Sequence, residues 1–185
     1  MSLFRHPVRE MVGGRAPLPS AARDLLGLEH SDSVLAWSSL VGGGWAVAMV
    51  AALRAVLPTG TILDRPWTDV DHVAWDQTSG MLAVWWVGAR QPTPLELQEP
   101  SYLPEVVHER VRSSLVLARD VAMPDGRTVW VALRKSSDGT LSTQAVPARG
   151  VRLGDPAIAA LVARAQAELR DEAGQSGPAG SLGPM

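Results

Sequence analysis

The sequence predicts an α+β fold that is mainly β, with about seven antiparallel strands and one C-terminal amphipathic helix. Residues 73–76 and 81–87 are rich in β-branched and aromatic side chains and are separated by a short turn that ends in Gly80. A second pair of strand-like segments flanks Pro124-Asp125-Gly126, which has the proline and glycine of a tight turn. An apolar stripe at helical spacing follows Asp155.

The composition is that of a globular protein with a single folded domain. Hydrophobic residues make up 46% of the chain and charged residues 19%, a balance that disordered segments lack. A chain of 185 residues can bury a hydrophobic core without disulfides or a structural metal to stabilise it. We assign residues 1–30 to an N-terminal arm with a short helix, residues 31–173 to the folded domain and residues 174–185 to a disordered tail.

Charge and cysteine content exclude several classes of function. A net charge of -2 provides no global field for a nucleic acid, so we expect no nucleic-acid partner. The absence of cysteine excludes disulfides, thiolate nucleophiles and zinc–thiolate sites. Any metal would depend on carboxylates and the four histidines, and we expect neither a metal nor a cofactor.

Two segments bear on the relation to membranes. Residues 1–19 contain no apolar stretch of the kind that a secretory signal needs, so we expect a cytoplasmic protein. Residues 33–53 carry no charge over about the length of a spanning helix. However, three consecutive glycines interrupt them, each costing about 1 kcal/mol relative to alanine in a helix interior. Two strands joined by a glycine turn explain the segment better, and no membrane span is expected.

Four short elements are predicted before the central hairpin. They are a helix at residues 21–27 capped by Ser20, and strands at residues 34–40, 45–50 and 53–57. Residues 46–56 are equally suited to an alanine-rich helix, and the periodicity leaves both possibilities open.

The central hairpin is the most apolar part of the chain. Residues 81–87 have no polar partner with which to alternate, so both faces of that strand should be covered. Upstream, Trp67, Val70 and Val73 recur at every third residue, which fits neither a flat strand nor a long helix. We predict a corner or a β-bulge there.

The proline-rich loop after this hairpin predicts a contact surface. Four prolines between Arg90 and Pro104 confine any strand, such as residues 95–98, to the edge of a sheet. Apolar side chains on this otherwise polar loop suit a protein partner or a homodimer, whereas the alternative is that they pin the loop to its own domain. The six candidate binding residues are Leu95, Leu97, Tyr102, Leu103, Trp85 and Trp86.

The C-terminal part predicts two helices and three strands. The helices span residues 104–112 and the segment from Pro156, which Asp155 caps, to Gly174, which ends it. The strands span residues 114–123, 127–134 and 141–146.

These elements together resemble the bacterial pleckstrin-homology-like (PH-like) domains over about residues 33–171. The segments that carry the resemblance are Trp45-Ala-Val-Ala, residues 53–57, Arg65-Pro-Trp-Thr-Asp-Val70, Val73-Ala-Trp-Asp76 and residues 81–87. The resemblance implies a bent antiparallel sheet or partly open barrel, whose open end is plugged by the C-terminal helix. It also implies a binding or scaffolding role without chemistry. Phosphoinositide-binding members carry lysine and arginine in the first hairpin loop, but residues 38–44 contain none, so a phosphoinositide ligand is not expected.

The alternative function is a small metal-dependent or acid–base hydrolase that uses the corner at Asp69, Asp71 and His72. Aspartates also crowd turns and strand ends because they bond their own backbone, and this explanation is sufficient here. No nucleophile elbow surrounds Ser113 or Ser114. We therefore predict a non-catalytic interaction or scaffolding module rather than an enzyme.

Overall fold

A computed structural model of the chain describes residues 17–99 and 101–175. Within these ranges the fold is α+β and mainly β, as predicted, although ten strands replace the predicted seven. The strands are β1 (Val34–Ser39), β2 (Trp45–Met49), β3 (Ala52–Val56), β4 (Ile62–Pro66), β5 (Val70–Asp76), β6 (Met81–Trp86), β7 (Thr93–Glu96), β8 (Leu115–Ala122), β9 (Thr128–Lys135) and β10 (Leu141–Pro147). The helices are α1 (Ser20–Leu26), α2 (Leu103–Ser114) and α3 (Pro156–Gln175).

The chain divides into two compact units, Met1–Arg112 and Ser113–Met185. The predicted N-terminal arm lies outside the described residues up to residue 16, and so does the predicted tail from residue 176. The predicted domain boundaries near residues 30 and 173 stay predictions.

The first unit contains two antiparallel sheets whose strands follow one another in chain order. One sheet has the order β1-β2-β3-β4 and the other β5-β6-β7. An isolated bridge between Leu40 and Leu97 connects them, and the Val41 N–H donates to the Glu96 carbonyl at 2.9 Å beside it. Residues 45–57, for which the sequence left a helix open, form β2 and β3 because β3 pairs with a strand on either side.

One apolar core fills the space between these two sheets and α2. The first sheet contributes small side chains together with Leu53, and the second contributes Leu82 and Val84. Helix α2 presents Leu103, Val107 and Val111 at a spacing of four residues, which places them on one face of the helix. The outer face of the first sheet is covered by α1 in a separate, smaller cluster.

Helix α1 begins one residue earlier than predicted. Ser20 lies inside the helix and Pro19 holds the N-cap position, without any side-chain hydrogen bond to the helix end. The predicted serine cap is therefore wrong. Proline fixes φ near the value that the chain needs at this point, so the helix begins without a side-chain acceptor.

The central hairpin forms as predicted. Asp76 pairs with Met81 at its closed end, and a register shift between Val70 and His72 makes the expected bulge. A single 3-10 turn at Trp67–Asp69 forms the corner upstream. Burial in β6 nevertheless alternates between buried and half-buried side chains, so only one of its faces is fully covered.

The second unit is a three-stranded sheet, in the order β10-β9-β8, that is covered by α3. The predicted hairpin across Pro124-Asp125-Gly126 is present as β8 and β9. The Asp155 carboxylate accepts the Ala157 N–H at 2.9 Å and so caps α3 as predicted. Helix α3 continues through Gly174 to Gln175, so the predicted end at that glycine is one residue too early.

The predicted role of the C-terminal helix as the plug of a barrel needs correction. Helix α3 packs Val162, Ala165 and Leu169 against β8, β9 and β10. The helix that closes the core of the first two sheets is α2, and no closed barrel forms within residues 17–99 and 101–175. Both helices have an apolar stripe, and a stripe does not say which sheet it will cover.

No helix within the described ranges is long and apolar enough to cross a membrane. The uncharged segment at residues 33–53 forms β1, β2 and the start of β3.

Candidate functional site: an exposed tryptophan that lines two clefts

Three of the six predicted binding residues lie in the core of the first unit. Leu95, Leu97 and Leu103 are only 1%, 6% and 0% exposed. Their burial supports the alternative that the loop leucines pin the loop to its own domain. β7 itself lies at the edge of its sheet, as the prolines predicted, but two residues before the expected position.

The other three predicted residues differ in their exposure. Trp86 is buried, and its indole N–H donates to the Thr93 hydroxyl at 2.7 Å. Trp85 is half-buried and stacks on the His72 ring at 4.4 Å. Tyr102 is 39% exposed. The predicted contact of these residues with a protein partner or a second copy stays a prediction.

The acidic corner of the hydrolase alternative is divided among separate local pairs. Asp69 accepts a hydrogen bond from the Arg65 guanidinium at 2.9 Å, and Asp71 lies 2.9 Å from Nδ1 of His72. Asp64 pairs with Arg54 at 2.7 Å. Within the part of the chain that the structure describes, no group of three or more His, Asp or Glu side chains is arranged to hold a metal ion.

Trp75 is the feature of the first unit that the sequence interpretation passed over. It lies on β5, which is an edge strand of its sheet, and it is 37% exposed. A tryptophan combines a large apolar area with few rotatable bonds, and for this reason it is enriched at the centres of protein interfaces. Trp75 lines two clefts, which also share Glu105.

The turn-side cleft has a volume of about 430 Å³ and lies between Trp75, the β5–β6 turn and Glu99. The turn is held by Asp76, whose carboxylate accepts the Ser79 hydroxyl at 2.7 Å and the Thr78 N–H at 2.9 Å. These bonds, that from the Ser79 side chain first, lower the pKa of Asp76 below its usual value. These hydrogen bonds hold the turn that forms one wall of the cleft.

The helix-side cleft has a volume of about 390 Å³ and lies between Trp75 and α2. Helix α2 lines it with Glu105, His108, Glu109 and Arg112, whose spacing of three and four residues places them on one face. Packing of the apolar face of α2 into the core fixes the direction of this polar face. We call Trp75 and its two clefts the Trp75 surface.

Carboxylates dominate the charge of the Trp75 surface. Glu99, Glu105 and Glu109 are exposed, and none of them forms an ion pair with another residue of ranges 17–99 and 101–175. Arg112 is the basic side chain among the cleft residues. The arrangement places negative charge that forms no ion pair beside an exposed aromatic side chain.

One signal in the sequence could have indicated Trp75. Trp75 is followed directly by Asp76 and by the turn that ends in Gly80, so it stands near the end of its strand. An aromatic residue in the last two positions of an edge strand, followed by Asp and a turn, is a candidate for exposure. What the sequence does not indicate is that α2 lies beside it.

No protein-family model matches the chain, and no curated protein or solved structure matches it either. The class of protein must therefore be argued from the fold and from the Trp75 surface.

Proposed function

We propose that the chain is a cytoplasmic, non-catalytic, PH-like interaction module that binds a protein partner through the Trp75 surface. The observation that carries the proposal is the exposed side chain of Trp75, which lines two clefts of about 430 and 390 Å³. Interface anchors are typically large aromatic side chains that fit beside pockets, and small recesses near such an anchor accept side chains of the partner.

The arrangement of elements in the first unit supports the PH-like part of the proposal. A four-stranded meander, a three-stranded meander and then a helix follow one another from Val34 to Ser114. This order corresponds to the strands-then-helix order on which the resemblance rests, with α2 in the place that the sequence interpretation gave to α3. The helix then has two functions, since one face closes the core and the other lines the helix-side cleft.

The local pairing of polar groups supports a role without catalysis. The acidic residues near the corner each contact a neighbouring basic or hydroxyl group. Ser114, one of the serines weighed as a nucleophile, is buried and accepts a hydrogen bond from Arg134 at 2.7 Å. Groups engaged in this way stabilise turns and strand ends, which supports the explanation of the aspartates by local structure.

The proposal is tested by selecting peptides from a random phage-displayed library on the full-length protein and measuring their affinity by calorimetry. The variant Trp75→Ala should weaken the selected peptides by about tenfold or more, because it removes the aromatic anchor. The matched control is Ile62→Ala, which removes another exposed apolar side chain of the first unit. Peptides that bind Trp75→Ala and the unchanged protein equally would contradict the proposal.

A further inference from the structure

We propose that the partner presents a basic side chain, arginine or lysine, to the Trp75 surface, so that the ligand is a cationic peptide segment. This inference rests on the proposed function and adds the chemistry of the partner to it. It depends on the charge of the surface and on the absence of a described cationic side chain over the Trp75 ring.

The charge of the surface selects for a cation. The two clefts are lined by three carboxylates, those of Glu99, Glu105 and Glu109, and by one guanidinium, that of Arg112. Their net charge is -2 when His108 is neutral. These carboxylates form no ion pair with another described residue, so a basic side chain does not have to displace an existing partner to reach them. Complementary charge across an interface speeds encounter and disfavours partners of the wrong sign.

The face of Trp75 is available for a cation, unlike those of two other tryptophans in this chain. The Arg65 guanidinium lies 5.1 Å from the ring centre of Trp86, and that of Arg134 lies 5.8 Å from the ring of Trp130. Within residues 17–99 and 101–175 no cationic side chain occupies the corresponding position over Trp75. A guanidinium or ammonium group over an exposed indole is attracted by the negative face of the ring, and nearby carboxylates add to this attraction.

Other occupants fit the surface less well. An acidic peptide or a phosphate would meet three carboxylates, and like charges at an interface are repulsive. A second copy of this chain, docked across a twofold axis at the same patch, would place those carboxylates against their own counterparts. A basic segment avoids both penalties.

The experiment uses an array of immobilised octapeptides that are random except for one central residue, which is fixed as Arg, Lys, Leu or Glu. The full-length protein should be retained about tenfold more strongly by the Arg and Lys sets than by the Glu set. Raising the salt concentration from about 0.05 to about 0.5 M should reduce that preference, because salt screens exposed charges. Equal retention by all four sets, or preference for Glu, would overturn the inference.

Charge variants separate the contribution of the carboxylates to binding from that of the Trp75 side chain. The pair Glu105→Gln and Glu109→Gln should lower the preference for Arg and Lys about fivefold. The matched control, Asp24→Asn with Glu96→Gln, removes the same charge from exposed positions outside both clefts and should leave the preference unchanged. The reversed pair Glu105→Arg and Glu109→Arg should shift the preference toward the Glu set. A preference that survives reversal would overturn the inference.

Failure of this inference is distinguishable from failure of the proposed function. If Trp75→Ala abolishes retention of every set without any preference for basic residues, the binding module stands and the cationic partner is wrong. If Trp75→Ala has no effect on any set, the proposed function is wrong. Concentration-dependent self-association in light scattering that Trp75→Ala removes would assign the surface to a second copy and would also overturn the cationic partner.

Discussion

The two units of the chain cover apolar surface in different ways. In the first unit, side chains from two sheets and from α2 meet in one core, and α1 covers the outer face of the first sheet. In the second unit, a single three-stranded sheet is covered by a single helix, α3. A core walled by several elements cannot contract easily when an atom is removed, whereas a helix lying on one sheet can shift toward it.

The strands of the two units also differ in how many of their faces are covered. In β2 the three central residues are all buried, because elements lie on both faces of that strand. In β8 exposed residues alternate with half-buried ones, and the half-buried Leu117, Arg119 and Val121 face α3. The comparison shows that a strand with elements on both faces buries consecutive residues, whereas a strand covered on one face buries only alternate residues.

The largest expected effect comes from truncating one buried leucine in each unit. Leu53 and Leu169 are 0% and 1% exposed, so Leu53→Ala and Leu169→Ala remove the same atoms from equally buried positions. We expect the free energy of unfolding to fall by about 4–5 kcal/mol in Leu53→Ala and by about 2–3 kcal/mol in Leu169→Ala. The loss at Leu169 is smaller because α3 can move to fill the space. Urea unfolding of the full-length protein measures both losses. Equal losses, or a larger one at Leu169, would contradict the comparison.

A smaller effect is expected from a matched pair of turn glycines. Gly44 and Gly126 both have positive φ, +94° and +80°. A Cβ at Gly44 would lie 2.0 Å from the Val56 carbonyl oxygen, but one at Gly126 would meet nothing within 4 Å. Gly126→Ala should therefore lower the free energy of unfolding by about 1–2 kcal/mol, which is the strain of a left-handed alanine. Gly44→Ala should lower it distinctly more, because the added Cβ also meets the backbone. Thermal unfolding of the two variants compares them, and a milder effect at Gly44 would show that the strands separate at little cost.

The smallest effect concerns acid stability in the second unit. The Ser136 hydroxyl and then the Thr140 N–H bond the Asp138 carboxylate and lower its pKa from 3.8 to about 2. Because the folded-state pKa is depressed, the stabilisation is complete above about pH 4 and is lost as the pH falls through about 2. The melting temperature of Asp138→Asn should accordingly fall less between about pH 5 and pH 2 than that of the unchanged protein. Parallel curves for the two proteins would show that this turn makes no pH-dependent contribution.

Local elements could largely be predicted from the sequence. The hairpin at Pro124-Asp125-Gly126, the bulge after Val70 and the cap at Asp155 all depend on residues close together in the chain. Turn chemistry, β propensity and capping act over a few residues, so their signals are present in any short window of sequence.

The number and grouping of the sheets could not be predicted in this way. About seven strands were expected and ten formed, and they are divided among three sheets. Helix α3 was assigned to a barrel end that α2 closes instead. An amphipathic stripe records that one face will be buried, but the identity of the covering sheet depends on contacts between residues that are distant in sequence.

The candidate site shows the same division between local and tertiary information. The sequence by itself determined that the chain has strand, turn and helix segments and that it carries no cysteine chemistry. It also identified seven tryptophans without saying which of them is exposed. Only the tertiary structure decided that Leu95, Leu97 and Leu103 enter the core and that Trp75 remains exposed beside α2. The physical reason is that burial is a property of the assembled layers. Leucine and tryptophan both tend to leave water, and the packing of sheets and helices decides which of these side chains is covered.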